Sequence, residues 1–181
     1  MGPDHPECPE RLYAINDQLI ASGILDHLLH YNAETVTKQQ LLSVHAPDYV
    51  EWVFNNAPDS GLLQLDSDTA MNKYTLNAAL HAAGAVVQAV DLVMSSQVEN
   101  AFCCVRPPGH HSGYQGLLSN AKSCGFCIFN SIAAGALHAL DSHKCERVAI
   151  IDLDIHHGKF LIKLNFTFFS FFHGTKMKIK I

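Results

Sequence analysis

Residues 148–158, Val-Ala-Ile-Ile-Asp-Leu-Asp-Ile-His-His-Gly, decide the fold class of this chain. The run Val148–Ile151 is apolar and predicts a buried strand. Because side chains alternate along a strand, Asp152, Asp154 and His156 are expected to share one face. Desolvating these three groups is costly unless something pairs with them, and a divalent metal is the most economical partner. The alternative is a strand that ends in solvent with hydrated polar side chains.

Composition indicates one globular domain. The chain has 181 residues, of which 48% are hydrophobic and 16% charged, and its formal net charge is −5. These values favour a packed core over disorder, and they argue against direct nucleic-acid binding, which requires clustered Lys and Arg. No stretch reaches the ~18 apolar residues of a membrane span. Without an export signal we expect an intracellular protein, in the cytoplasm or, in a eukaryote, the nucleus, with free thiols.

The predicted elements alternate between helix and strand in the second half of the chain. A strand at Ala101–Val105, a loop over Arg106–Ser123, a helix from Asn130 to Leu140 and a strand at Val148–Leu153 make a βαβ unit. Further helices are predicted from Pro9 to Gly23, after Thr37, from Pro47, and from Leu76 to Met94. We therefore predict a three-layer α/β fold with a mainly parallel sheet flanked by helices. Sites in such sheets form at the carboxyl ends of strands.

The loop Arg106-Pro-Pro-Gly-His-His111 follows the first of these strands directly. Two prolines stiffen it, and its glycine lets the backbone approach a ligand closely. Adjacent histidines near a metal can divide proton transfer, because imidazole titrates near neutral pH. Alone, the pair fits two surface histidines slightly better; together with the Asp/His motif it favours a site. Cys124-Gly-Phe-Cys127 has redox-motif spacing, but the sequence lacks the second pair that a zinc ribbon needs.

Four segments in register resemble the histone deacetylase superfamily, with most similarity to its class II-like and acetylpolyamine amidohydrolase branches. Together they span nearly all of residues 5–158. They are His5-Pro-Glu-Cys-Pro-Glu-Arg-Leu12, Arg106-Pro-Pro-Gly-His-His111, Gly125-Phe-Cys-Ile-Phe-Asn130 and Ile151-Asp-Leu-Asp-Ile-His-His-Gly158.

The resemblance implies an arginase/deacetylase-like fold and zinc-dependent hydrolysis of an N-acetyl group from an acetylated lysine or polyamine. By motif position, Asp154 and His156 are the expected zinc ligands. His110 and His111 are the expected tandem catalytic pair. Asp152 is expected to hydrogen-bond His110 and orient it, as partners around a metal site do.

The resemblance also assigns a substrate channel and a second ion. Gly125 and Phe126 are expected to line a narrow channel for the acyl-lysine stem. Asp68 is expected at the channel mouth, where a substrate contact and an ordinary Asx-turn role are both open. Backbone oxygens of the segment 152–156 are expected to help hold a structural K⁺.

The resemblance ends at Gly158. The family continues Gly-Asn/Asp-Gly, whereas this chain continues Lys159-Phe-Leu, and residues 159–181 contain no Asp, Glu or Tyr. The family's third zinc ligand, an Asp, and its oxyanion-donating Tyr are therefore missing from this chain. We predict that residues 1–158 are the amino-terminal portion of a truncated catalytic domain, and that the 181-residue chain alone has negligible deacetylase activity.

The segment 159–181 differs in composition from the rest of the chain. It holds six of the ten Phe and five Lys. Because Phe, Lys, Ile and Asn have A/T-rich codons, our hypothesis is a non-homologous tail read from a shifted frame. The alternatives are a Phe- and Lys-rich membrane-surface anchor and a final strand over 166–172. Sequencing the gene beyond the Gly158 codon tests the hypothesis.

Two other functions compete with the deacetylase interpretation. An arginase-like di-metal hydrolase also carries Asp-x-His clusters at strand ends, but the Arg106–His111 loop and the lack of a carboxylate at position 158 speak against it. A non-catalytic fragment that associates with an intact paralogue is the other alternative, which co-purification tests. The sequence does not indicate an oligomeric state.

Overall fold

A computed structural model describes residues 1–2, 4–116, 123–156 and 158, and the backbone of 167–170. Within these residues the α-helices are α1 Glu10–Ala21, α2 Lys38–Val44, α3 Pro47–Asn55, α4 Thr75–Met94 and α5 Ser131–Asp141, with a short 3₁₀ helix at Leu25–His27. The strands are β1 Leu63–Gln64, β2 Ala70–Met71, β3 Ala149–Asp152 and β4 Thr167–Ser170.

The helices begin where the sequence places their capping residues. Thr37 and Gln40 form a capping box, in which each side chain accepts the backbone N–H of the other residue. Asn130 Oδ1 accepts the N–H of Ala133 at 3.1 Å and so starts α5. Pro47 occupies the first turn of α3, where its missing N–H costs nothing. All five predicted helices are confirmed, because these signals are local in the chain.

The core lies between α2, α3, α4 and α5. Its fully or almost fully buried apolar side chains are Leu41, Val44, Val50, Val53, Met71, Ile128 and Phe129. Burying one such side chain stabilises the fold by about 1.5–3 kcal/mol. The faces of α4 and α5 that enter this cluster are rich in alanine, so the two helices can approach closely. This core supports the loops on either side of α5.

The described strands pair in two small ladders. β3 and β4 are parallel, with Ala149 opposite Thr167 and Asp152 opposite Ser170, while β1 and β2 are antiparallel. A parallel pair beside packed helices confirms the predicted α/β class. Within 167–170 the final-strand alternative for the tail is confirmed; the rest of 159–181 lies outside the described residues.

The predicted strand Ala101–Val105 is wrong. Residues 101–105 form no β-ladder with any described residue, and Phe102 is 72% exposed. Cys104 is also exposed rather than part of the core. An apolar run becomes a strand only when a neighbouring strand satisfies its backbone groups, and composition does not supply that partner.

The prediction of a buried strand over Val148–Ile151 is right about the strand and wrong about its burial. Ile150 is 5% exposed, whereas Ile151, Leu153 and Ile155 are 59%, 69% and 72% exposed. The predicted alternation is confirmed, but within the described residues apolar cover lies only on the side of Ile150. Asp152 is half-buried, and Asp154 and His156 are exposed.

One described helix, α4, is long and apolar enough by length and composition to cross a membrane. The sequence analysis expected no such stretch. Ala79, Ala83 and Val87 of this helix belong to the buried core, and its His81 Nδ1 lies 2.8 Å from the carbonyl oxygen of Ala33. We therefore assign α4 as a core helix.

Candidate active site

The histidine loop, residues 106–113, is fixed by buried polar groups. Asn130 Nδ2 donates to the carbonyl oxygen of Ser112 at 3.0 Å. His45 Nδ1 donates to the carbonyl oxygen of Gly113 at 2.8 Å. Both donor side chains are buried, and each such hydrogen bond contributes about 0.5–1.5 kcal/mol. The loop is thereby held against the start of α5 and the end of α2.

A buried carboxylate, Glu7, holds the other end of the histidine loop. Its side chain is only 3% exposed, and Oε1 accepts Nε of Arg106 at 2.9 Å. Its backbone oxygen accepts Nη2 of Arg106 at 3.0 Å, and its second carboxylate oxygen pairs with Arg11. A buried charge needs such partners, so Glu7 joins the amino-terminal segment to the loop.

His110 is paired with a carboxylate of β3. Asp152 Oδ2 lies 2.9 Å from His110 Nδ1, and the two side chains are 11% and 20% exposed. A neutral ring that donates its Nδ1–H to Asp152 keeps a lone pair on Nε2 for accepting a proton. Gly158 closes over this pair: a Cβ there would lie 2.5 Å from Asp152 Oδ2, so the close approach requires glycine.

Asp154 and His156 converge just beyond β3. Asp154 Oδ1 accepts the backbone N–H of His156 at 2.7 Å and lies 3.1 Å from Nδ1 of the same residue. Partial burial raises the pKa of Asp154, but the hydrogen bonds from His156 and the nearby imidazoles outweigh it and leave that pKa below its ordinary value. The carboxylate is therefore ionised at neutral pH and able to act as a ligand.

The turn at Gly125 and Phe126 presses against His111. Gly125 has φ +54°, and a Cβ on it would lie 2.2 Å from Cδ2 of His111. Phe126 also has positive φ, at +67°, and its N–H donates to Thr69 Oγ1 at 3.1 Å. The ring of His5 packs edge-on against Phe126, with centroids 4.6 Å apart. One turn thus places an apolar wall beside the histidines.

Asp66, which the sequence analysis did not single out, ties this turn to the loop before β2. Its Oδ1 accepts the N–H of Asp68 at 3.0 Å, which makes the Asx-turn, and its Oδ2 accepts the N–H of Cys124 at 2.8 Å. Asp68 is therefore not the residue that makes the Asx-turn. Its own carboxylate accepts Ser123 Oγ at 2.6 Å.

A cleft of about 550 Å³ collects these groups. Seven of the eight predicted site residues line it, and the eighth, Asp152, is hydrogen-bonded to one of them. The seven are Asp68, His110, His111, Gly125, Phe126, Asp154 and His156. Glu7 and Arg11 line the same cleft. The strand-end motif and the histidine loop therefore meet on one side of the sheet.

The pair Cys124 and Cys127 is buried beneath the cleft. Burial raises the pKa of each thiol to about 12, and the Asp66 carboxylate adds to the effect at Cys124. Both therefore remain protonated at neutral pH and lack the thiolate that redox exchange and metal binding need. All six cysteines are free in the structure.

Three positioning residues escaped the sequence analysis: Glu7, His45 and Asp66. Glu7 stood inside a quoted motif and Asp66 two residues before the candidate Asp68, yet each contacts a residue far along the chain. In the sequence, each of these two carboxylates is only a single acidic residue next to small or polar residues, a pattern that is common on protein surfaces. A buried role follows only from the fold.

Replacing Gly125 with alanine is expected to cost about 2 kcal/mol of unfolding free energy, because a Cβ meets the His111 ring and positive φ disfavours L residues. Denaturant unfolding measures it. Gly61→Ala is the matched control, since Gly61 has φ +71° with nothing within 4 Å of a Cβ. Equal losses in the two variants would mean that the contact with His111 carries no cost.

Comparison with known proteins is consistent with this geometry. The family model described as "Histone deacetylase domain" matches residues 5–160. Among curated proteins, Type-2 histone deacetylase 1 of Dictyostelium discoideum is 33% identical over 86% of this chain and 14% of its own length. Human Polyamine deacetylase HDAC10 is 36% identical over 86% and 24%, and Histone deacetylase 15 of Arabidopsis thaliana is 38% identical over 85% and 27%.

A solved structure described as the crystal structure of the HDA15 HD domain matches with a TM-score of 0.77 and 36% identity. The match covers 87% of this chain and 44% of that domain. The chain thus spans less than half of the crystallised domain and about a quarter or less of these curated relatives. The fold is arginase/deacetylase-like, as predicted, and the relatives named above are deacetylases. The chain belongs to the histone deacetylase domain family.

Proposed function

We propose that the cleft is the metal-and-histidine half of a zinc-dependent deacetylase site, which hydrolyses the N-acetyl amide of a lysine or polyamine. One observation carries the proposal. The His110–Asp152 pair and the Asp154–His156 pair open onto the same cleft although they come from two separate segments of the chain.

Asp154 and His156 suit a zinc ion. Carboxylate oxygen and imidazole nitrogen are common zinc ligands, and two ligands on one tetrahedral zinc lie about 3.3 Å apart. Asp154 Oδ1 and His156 Nδ1 are 3.1 Å apart. When bound there, zinc would polarise the amide carbonyl and acidify the attacking water. The pair leaves further coordination positions for other groups.

The two histidines transfer the proton from the attacking water to the departing amine. Asp152 holds His110 with Nδ1–H toward the carboxylate, so Nε2 can accept the proton of the attacking water. His111 packs against it, with ring centroids 4.1 Å apart. The protonated pair then returns a proton to the departing amine. The Asp152 carboxylate stabilises the charged imidazole in between, as second-sphere carboxylates do.

The turn at Gly125 and Phe126 supports an elongated substrate. Phe126 offers an apolar wall for a methylene stem, and the absence of a side chain at Gly125 lets the His111 ring pack directly against this turn. Asp68 and Glu7 put carboxylates on the cleft wall, although the side chain of Glu7 is already paired with Arg106 and Arg11. Relatives carry both histone and polyamine deacetylase names. The substrate is therefore an acetylated amine on an alkyl chain, and an assay with both types separates them.

The catalytic test is a chimera, because the chain covers 44% of the crystallised domain. We join residues 5–158 to the part of that domain that follows its matched segment, and assay acetate release from an acetyl-lysine peptide and from an N-acetylpolyamine. We expect turnover that a chelator abolishes and added Zn²⁺ restores. His110→Ala is expected to lower kcat about 100-fold.

His30→Ala in the same chimera is the control, since that exposed histidine lies outside the cleft. A folded, zinc-loaded chimera without activity would overturn the proposal. So would a His110→Ala chimera that retains full activity. The 181-residue chain itself is expected to show negligible turnover, and robust zinc-dependent hydrolysis by it would contradict that prediction.

A further inference from the structure

A second group of possible metal ligands lies outside the cleft. One carboxylate oxygen of Asp91, a residue of α4, is hydrogen-bonded to two imidazoles. His138 Nε2 lies 2.7 Å from Oδ1, and His143 Nε2 lies 2.6 Å from the same atom. One ligand atom from each of the three residues lies within 4.8 Å of the others. None of the three lines the cleft that holds Asp154 and His156.

The chain around this trio is held in place. Asp91 lies on α4 and His138 in the last turn of α5, and these helices pack together through the buried core. The turn after α5 is closed by a hydrogen bond from the N–H of Cys145 to the carbonyl oxygen of Ala139 at 3.1 Å. The two imidazoles are thus set against the carboxylate before any ligand arrives, which lowers the cost of binding.

His138 also has the outer partner that a metal-bound imidazole needs. Its Nδ1 lies 3.1 Å from Ser142 Oγ. When Nε2 binds a metal, the ring proton sits on Nδ1 and can be donated to that hydroxyl. Such an outer hydrogen bond fixes the tautomer and orientation of a metal-ligating histidine. The His138 side chain is 12% exposed, so packing restricts it as well.

The charge at the site suits a cation. Asp91 contributes the carboxylate of the trio, and its Oδ1 faces one ring nitrogen of each histidine. The Asp91 side chain is 51% exposed, which leaves solvent access for entry and for a water ligand. Two imidazoles and one carboxylate favour Zn²⁺ and other first-row transition metals over Mg²⁺ and Ca²⁺, which prefer oxygen ligands.

We propose that Asp91, His138 and His143 form a binding site for a divalent transition metal, Zn²⁺ in the first instance, that cross-links α4 to α5 and to the turn after it. The site is separate from the zinc site proposed in the cleft and does not depend on it. Its role is to stabilise the packing of these two helices, because an ion that binds only the folded chain raises its stability.

The experiment uses the full chain with Asp154→Asn and His156→Asn, which removes the ligand pair of the cleft. Calorimetric titration with Zn²⁺ is expected to give one equivalent bound, and saturating Zn²⁺ is expected to raise the unfolding temperature by about 5 °C. Adding His143→Gln is expected to weaken binding at least tenfold and to abolish the temperature shift. His30→Gln on the same background is the control and is expected to change neither.

A background chain that binds no Zn²⁺, or a His143→Gln chain that binds as tightly as its parent, would overturn the proposal. His143→Cys serves where the glutamine variant does not fold, since cysteine keeps a ligand at that position. With Co²⁺ it is expected to gain a thiolate charge-transfer band that the parent lacks. Absence of that band would count against the site equally.

Discussion

Replacing Glu7 with alanine is expected to lower the unfolding free energy by about 4 kcal/mol, because removing one partner of a buried ion pair leaves an uncompensated charge. Arg106 is 22% exposed and loses its carboxylate partner, while Arg11 is 48% exposed and can turn to solvent. Domains of this size have only about 5–15 kcal/mol of stability. The variant is therefore expected to keep only about 1–11 kcal/mol and to unfold at clearly lower denaturant concentration.

Denaturant unfolding of the wild-type chain and the Glu7→Ala chain measures this effect. The matched control is Glu51→Ala, which breaks the ion pair with Lys38, where both side chains are about half exposed. That surface pair is expected to contribute less than about 1 kcal/mol. Similar losses in the two variants would show that the burial of Glu7 carries no special cost.

Acidification from pH 7 to pH 4 is expected to cost about 3 kcal/mol of stability through His45 alone. Burial lowers the pKa of this histidine from 6.5 to about 4, against a smaller opposite effect of its hydrogen bond to Gly113. Its Nε2 accepts the N–H of Asn130 at 3.0 Å. A proton added at Nε2 would face that N–H in the core, so the folded chain resists protonation.

The sign follows from linkage. Between pH 6.5 and about 4 the unfolded chain binds a proton at His45 that the folded chain does not, so stability falls as the pH falls. The contribution is complete above pH 6.5 and lost near pH 4. Asp66 and Asp91, whose pKa values are lowered from 3.8, act at still lower pH and do not share this window.

His45→Gln isolates the effect, because an amide can donate to Gly113 and accept from Asn130 without titrating. Unfolding free energies at several pH values are expected to show a slope in this window for the wild-type chain that is absent in the variant. An unchanged slope in His45→Gln would mean that another group causes the acid sensitivity.

Local signals in the sequence predicted the helices and failed for one strand. Thr37, Pro47 and Asn130 act on residues within three or four positions, so these helix starts can be recognised from the sequence. Ala101–Val105 has the composition of a strand but no partner among the described residues. Strand formation depends on a neighbour that can lie anywhere in the sequence, so composition alone predicts it poorly.

The predicted site residues came from motifs, and their assembly came from long-range contacts. Motif position identified His110 and Asp152, which are 42 residues apart and hydrogen-bonded. Motif position assigned no role to Glu7, which reaches Arg106 across 99 residues. Nor did it identify His45, which reaches Asn130 across 85. Contacts between residues so far apart produce no repeating pattern in the sequence.

The sequence by itself determined the chemical groups of the site, the helix limits and the alternation of polar and apolar residues through β3. The tertiary structure alone decided which of those groups meet, which face of β3 is covered, and that Asp91, His138 and His143 converge. The physical reason is the distance along the chain over which each interaction acts. Capping and periodicity act over a few residues, whereas burial and pairing depend on how distant segments pack.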